Sequence, residues 1–303
     1  MNELSSAGHS LSAIRQVAVT GGRGMLGTEV VAALEAAGLN ATPLDLPDFD
    51  LCNRAHLTGV VSAVDAVINC AAYTNVDRAE SEPALAAAVN AEAVGCLGGL
   101  AARLDRYVLH VSTDFVFDGL LDRPYTESDA PRPLSVYGAT KLAGEDALRA
   151  SGCRHAIVRV EWTYGAKGNH FVRKLLERAQ SGEEIGMVSD QVGSPTWTRE
   201  VANALVRLLT AQAGGLFHYA AAGYASRLDV AHFILRELEI ERQLVPRRTA
   251  EFQTPARRPL NSRFDCRKIE EFLGHPRRHW RDTLREFLLS QQIVAGAAAP
   301  TLV

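Results

Sequence analysis

The stretch Thr20-Gly21-Gly22-Arg23-Gly24-Met25-Leu26-Gly27 decides the fold. It follows a β-branched run at 14–20 and heads an Ala-rich segment of helical texture at about 26–37. The spacing G-x-x-G-x-x-G lets the chain turn tightly and brings backbone close to a pyrophosphate. The helix behind it offers unpaired N–H groups and the positive end of its dipole to that anion. Three spaced glycines also describe a plain turn where a helix packs closely on a strand. Their place between a first strand and a first helix selects the dinucleotide reading.

Outward from this turn the pattern repeats. Residues 41–44, 64–70, 107–112 and 156–160 are short apolar runs suited to buried parallel strands. The Ala- and Leu-rich segments 82–104 and 134–150 between them read as helices. Strands alternating with helices predict an α/β fold, a Rossmann-like doubly wound parallel sheet. After Trp162 short helices at 171–180 and 198–210 alternate with Gly- and Pro-containing loops, and 244–265 reads as an ordered loop. The organisation expected is an NAD(P)-binding Rossmann domain over 14–163, with returning segments near 191–222. A small, discontinuous substrate-binding lobe takes 164–190 and 223–290, with flexible tails at 1–13 and 294–303.

Composition narrows the class. With 303 residues, a formal net charge of −3 and 47% apolar residues, the chain can build a full core. It carries neither the basic stripe of a nucleic-acid binder nor a polybasic membrane patch. The arginines at 247, 248, 257, 258, 277 and 278 are spread among prolines and suggest an anion site or a solvated face. Cys52, Cys70, Cys96, Cys153 and Cys266 form no metal-finger spacing, which points to a reducing, cytoplasmic setting. The first thirteen residues lack a signal-peptide pattern, and Asp65 and Asn69 break the best membrane-span candidate, so a soluble protein is expected.

Two residues speak to the cofactor and disagree. Asp45 closes the second strand, 18 residues beyond Gly27, where an acid binds the ribose 2′-hydroxyl of NADH. Arg23 lies inside the glycine turn, where a guanidinium holds the 2′-phosphate of NADPH. The reading leans to NADPH and leaves NADH open.

The chemistry is concentrated in Tyr137-Gly138-Ala139-Thr140-Lys141. Tyr137 and Lys141 lie four apart on an expected helix and so share one face. Hydride added to a ketone leaves an alkoxide that needs a proton. A Tyr hydroxyl, with a pKa of ~10 unperturbed, is a poor acid–base group near neutrality unless an ammonium favours the phenolate. Lys141 can also donate to the nicotinamide ribose. Thr113, in Ser112-Thr113-Asp114 at the C-terminal edge of an earlier strand, borders the ligand crevice and would polarise the substrate carbonyl.

At this point the chain resembles the dTDP-4-dehydrorhamnose reductase family of extended short-chain dehydrogenases, over roughly residues 15–290. The markers are Asn69-Cys70-Ala71-Ala72-Tyr73-Thr74, Val76-Asp77 with Ala79-Glu80, Ser112-Thr113-Asp114 with Val116-Phe117, and Val136-Tyr137-Gly138 with Lys141-Leu142-Ala143-Gly144-Glu145. Two narrower ones are Asp190-Gln191 with Gly193-Ser194-Pro195-Thr196, and Arg258-Pro259 with Asn261-Ser262-Arg263. The resemblance implies catalytic Thr113, Tyr137 and Lys141. It places the cofactor on Gly21, Arg23, Gly24, Met25, Leu26, Gly27, Asp45, Ala71, Ala72, Tyr73, Tyr137 and Lys141. It places a nucleotide-sugar substrate near Asp114, Phe115, Trp162 and Asn261, with Arg258 and Arg263 beside its diphosphate. It leaves room for a homodimer and implies no nucleic-acid or membrane partner.

Departures from the family bear on the sugar. Phe115 stands where Tyr is usual, and Glu161 where a small residue is common. Some members bind magnesium through interface glutamates; Glu29 matches one position and Glu200 is one residue out of register, so no metal is expected. A dehydratase would need Glu at Phe115, and an epimerase-reductase a Cys at Ser112-Thr113. The implied activity is reduction of the 4-keto group of dTDP-4-dehydro-L-rhamnose. A reductase of another dTDP-deoxysugar stays open, as does a non-catalytic regulatory subunit of the methionine adenosyltransferase type.

Overall fold

The computed structural model describes residues 13–181 and 184–291. Apart from Ala13, the expected tails lie outside the described residues. Five strands, β1 (Gln16–Thr20), β2 (Asn40–Leu44), β3 (Ala66–Asn69), β4 (Tyr107–Thr113) and β5 (His155–Val160), join the edge strand Gly215–Tyr219 in one sheet. From Gly215–Tyr219 the order runs β5, β4, β3, β1, β2, and every pairing is parallel. The order reverses beside β1, so the crevice beyond the ends of β1 and β3 is the switch point where such sheets take ligands.

Both faces of the sheet are covered, which is why its strands are apolar throughout. Val17, Val19, Ile68 and Leu109 point into one core, shared with helix α1 (Met25–Ala36) and helix Thr198–Thr210. Ala18, Val67, Val108 and Ile157 point into the other, against helices Arg54–Ala63, Pro83–Leu104 and Val136–Ala150. The alternation follows the two-residue strand period. Each fully buried Val or Ile here contributes about 1.5–3 kcal/mol. Pro83–Leu104 is long and apolar enough to cross a membrane, yet Ala93, Val94, Leu97, Leu100 and Ala101 are spent on the second core.

A third core, around Trp197, Phe233, Trp280 and Phe287, gathers helices Phe171–Gln180, Arg227–Glu237 and Trp280–Ser290. The segment read as loop at 244–265 contains a strand, Leu244–Arg247, paired in parallel with Ile185–Val188. Its Pro and Arg content hid it, since Pro246 occupies an edge position that such small sheets tolerate. Phe264, Ile269 and Leu273, expected in the lobe, pack instead into the first core of the main sheet.

Candidate active site

The glycine turn is shaped by lack of room. Gly21 has φ +67°, and a Cβ there would meet the Ala71 backbone nitrogen at 2.8 Å. One on Gly27 would lie 2.0 Å from the Gly21 carbonyl oxygen. Gly24 caps α1 in an extended conformation with no side-chain hydrogen bond, leaving the first-turn N–H groups of the helix open to an anion. Arg23 and Asp45 meet at one spot, where the Arg23 backbone N–H donates to Asp45 Oδ2 at 3.1 Å and Arg23 Nη2 to Asp48 Oδ2 at 2.7 Å. They border a cavity of about 300 Å³ with Pro43, Phe49, His56 and Val60.

Ala71, Ala72 and Tyr73 follow β3 along the opposite wall. Tyr73 is held by Asn90, whose Oδ1 accepts its backbone N–H at 2.8 Å while Nδ2 donates to the Tyr73 carbonyl at 3.2 Å and to Thr140 Oγ1 at 3.1 Å. Asn90 reaches this position from a π-helical turn, Ala88–Glu92, inside the long helix. Gly144 lets helix Val136–Ala150 cross there, since a Cβ would sit 2.0 Å from the Asn90 carbonyl oxygen. Nothing in the spacing of the sequence marks a π turn, so Asn90 was not foreseen.

Helix Val136–Ala150 delivers Tyr137 and Lys141. Its start is fixed by Ser135 Oγ, which accepts the Gly138 N–H at 3.2 Å, and by Glu80 Oε1, which accepts that of Val136 at 2.8 Å. Gly138 is pressed on the Phe115 carbonyl oxygen, 2.1 Å from where a Cβ would stand. Tyr137 thereby comes near Thr113, whose hydroxyl favours its charged form, and lies edge-on to Phe115 at 5.4 Å. Thr113 donates to Asp114 Oδ1 at 3.1 Å, and Ser262 to Asp114 Oδ2 at 2.5 Å.

Lys141 turns inward. Its Nζ donates to the Val111 carbonyl at 2.7 Å and lies 3.4 Å from His110 Nε2. Behind His110, Nδ1 is 3.0 Å from Asn69 Nδ2, and Asn69 Oδ1 accepts from Thr20 at 2.6 Å. This buried chain joins Lys141 to the ends of β1, β3 and β4. Burial, then the neighbouring Lys141 charge, keeps His110 neutral.

The electrostatics correct one expectation. Lys141 was to draw Tyr137 toward neutrality, yet burial pushes the Tyr137 hydroxyl up to about 12, with Asp114 adding to it and the Thr113 hydroxyl only partly opposing. Burial also pushes Lys141 down to about 8. Desolvation dominates at both groups, and the ammonium is turned toward Val111 and His110. Beneath them Glu145, wholly buried, accepts from Ser112 at 2.5 Å, from Arg159 at 2.8 and 2.7 Å and from Arg149 at 2.7 Å. Burial alone would raise its pKa, but the Arg159 bonds outweigh that and hold it low.

The residues expected around the substrate divide. Trp162, at φ +45°, comes two residues after Val160, which is in register with Thr113, and so follows β5 at the same edge of the sheet. The two arginines are each held by partners within the chain. Arg258 pairs with Asp77 at 2.7 Å and donates to the Ala256 carbonyl at 2.8 Å. Arg263 donates to Asn261 Oδ1 at 2.8 Å and to the Asp122 carbonyl at 2.5 Å, while Asn261 ties down the Leu121 and Arg123 carbonyls. Arg227 was not foreseen, and it rests on Trp162 at 3.4 Å. Glu29 and Glu200 face Arg199 and Arg278 at 3.6 and 3.1 Å, and no group of three His, Cys, Asp or Glu side chains gathers among the described residues.

Comparison with known proteins follows the same outline. Residues 15–293 match the family described as RmlD substrate binding domain. A dTDP-4-dehydrorhamnose reductase of Sinorhizobium fredii is 37% identical over 289 residues, covering 90% of this chain and 96% of the relative. The crystal structure of a dTDP-4-dehydrorhamnose reductase from Clostridium acetobutylicum superposes with a TM-score of 0.88 at 34% identity, covering 91% of this chain and 99% of that one. Another, from Bacillus anthracis and in complex with NADP, gives 0.87 at 30% identity with the same coverage.

Proposed function

The chain belongs to the RmlD family, that of the dTDP-4-dehydrorhamnose reductases, and we propose that it reduces the 4-keto group of dTDP-4-dehydro-L-rhamnose to give dTDP-L-rhamnose, using NADPH, with NADH the open second donor. The observation that carries this is the meeting of Thr113, Tyr137 and Lys141 at the C-terminal edge of the sheet, beside the switch point.

The cofactor site fits a dinucleotide by its own chemistry. The Gly21–Gly27 turn has no space for side chains, and α1 presents uncapped N–H groups. The nicotinamide cofactor, when bound, supplies the hydride. Arg23 and Asp45, side by side, suit either the 2′-phosphate or the 2′-hydroxyl. Tyr137 holds the proton that the alkoxide oxygen needs, and its raised pKa keeps that proton on until an alkoxide, a stronger base, takes it. Thr113 stands near the Tyr137 hydroxyl and Lys141 brings positive charge to this end of the crevice. The cofactor falls to 14–163 with the returning 191–222. The sugar nucleotide falls to the lobe of 164–190 and 223–290, less the 264–273 segment that serves the sheet. Five free cysteines suit a reducing, cytoplasmic setting.

The test is loss of NADPH absorbance with dTDP-4-dehydro-L-rhamnose made in situ. Rapid oxidation is expected. Nucleotide binding without oxidation of either cofactor would overturn the reading in favour of another ketosugar or a regulatory subunit.

A further inference from the structure

Arg227 has neighbours but no polar partner. It opens helix Arg227–Glu237, with its guanidinium 3.4 Å from the Trp162 ring centre and 5.2 Å from that of Phe171. Among the described residues its side chain makes no hydrogen bond and no ion pair. Asp114, Glu161 and Arg258 act on its charge through space. Half-buried on an aromatic face, the guanidinium keeps its N–H donors free for an acceptor in the cleft.

Glu161 is in the complementary state. It is 1% exposed, and neither carboxyl oxygen has a hydrogen-bond partner, although the Ser194 and Phe264 amides favour its charge. Gly193 makes room for it, since a Cβ there would meet Glu161 Oε2 and Trp162 Cε2 at 2.7 Å. Gly193 also pairs with Ala225, which brings Arg227 to the same place. Burial keeps Glu161 protonated well above the usual carboxylate range and raises Asp114 too. A protonated Glu161 offers a hydrogen-bond donor as well as acceptors beside Arg227, and that mixture matches a neutral, hydroxyl-rich ring, which donates and accepts, better than a phosphate, which only accepts. The reacting end, marked by Asp114 beside Thr113, lies on the same side.

We propose that Arg227, resting on Trp162, is a specificity-determining residue that hydrogen-bonds the sugar-ring oxygens of the nucleotide-linked substrate, and that Glu161 positions it. The assignment rests on the reading of this cleft as a ketosugar site. Arg suits the task because its planar fork spans two oxygens at once.

Calorimetry with dTDP-L-rhamnose, dTDP and NADPH, on the wild type and variants, tests it. Arg227→Leu is expected to weaken dTDP-L-rhamnose by roughly ten- to a hundredfold while dTDP and NADPH stay within about twofold. Glu161→Gln, a neutral isostere, is expected to keep wild-type behaviour. Glu161→Leu is expected to raise the ketosugar KM with kcat nearly unchanged, a split that mere loss of fold would not give. Equal weakening of dTDP would move Arg227 to the diphosphate and overturn the proposal, as would unaltered affinity for dTDP-L-rhamnose or a parallel loss of NADPH. If the wild type itself ignores dTDP-L-rhamnose, the functional reading falls and takes this assignment with it; unaffected variants of a binding wild type overturn the assignment alone.

Discussion

Tyr137 gives up a proton only if it holds one, and burial that keeps its hydroxyl near 12 ensures that it does across the physiological range. Removing that hydroxyl with Tyr137→Phe is expected to lower kcat by about 10²–10⁴. The Kd for NADPH, read from nucleotide fluorescence, should hardly move, and a variant that keeps most of its rate would remove Tyr137 from the proton-donor role. Lys141 titrates within reach. Its pKa of about 8 means that it is cationic below that pH and neutral above. Charge at the crevice is therefore lost on the alkaline side, and kcat for reduction is expected to fall as pH rises through about 8. A profile flat through that range would contradict a role for the ammonium. The positions of Thr113, Tyr137 and Lys141 were legible because their spacing follows helix and strand periods. Their electrostatics were not, because burial and the His110–Asn69 chain depend on strands far apart in sequence.

Among the elements, helix Val136–Ala150 carries the most constraint. Its interior face is tied to β4 and β5 through Glu145, Ser112 and Arg159. Glu145→Ala leaves Arg159 buried and unpaired, so a loss of about 3–5 kcal/mol is expected in denaturant unfolding. Replacing Glu145 and Arg159 together by Met should cost far less, and equal losses would show that packing, not charge, matters at this site. The glycine turn is constrained by contact alone. With 2.0 Å between a Gly27 Cβ and the Gly21 carbonyl oxygen, Gly27→Ala must shift the turn. About 1–3 kcal/mol of stability should go with it, together with much of the NADPH affinity, and wild-type values for both would refute the close-packing account. The turn could be read from its glycines, whereas the strand at Leu244–Arg247 could not, since its pairing with Ile185–Val188 satisfies a backbone that the local Pro and Arg content argues against.

For the whole molecule, the sheet order sets what the site can be. Reversal beside β1 opens one crevice, and the third core around Trp197, Trp280 and Phe287 packs against Trp162, just beyond the end of β5. Alternating strand and helix texture made the sheet legible from the chain alone. The substrate wall was legible only in part. Arg258, Asn261 and Arg263 stand out in the sequence, but their bonds to Asp77 and 121–123 do not, and Arg227 is brought beside Trp162 through a strand pairing that no local pattern announces. The central claim is that hydride passes from the cofactor to the sugar at the 4-position in this crevice. Turnover with NADPH deuterated at the transferring position of the nicotinamide, followed by NMR of the product, tests it most directly. Deuterium at C4 of dTDP-L-rhamnose, formed far more slowly with Tyr137→Phe, is the expected result; no deuterium in the sugar, or deuterium at another carbon, would contradict it.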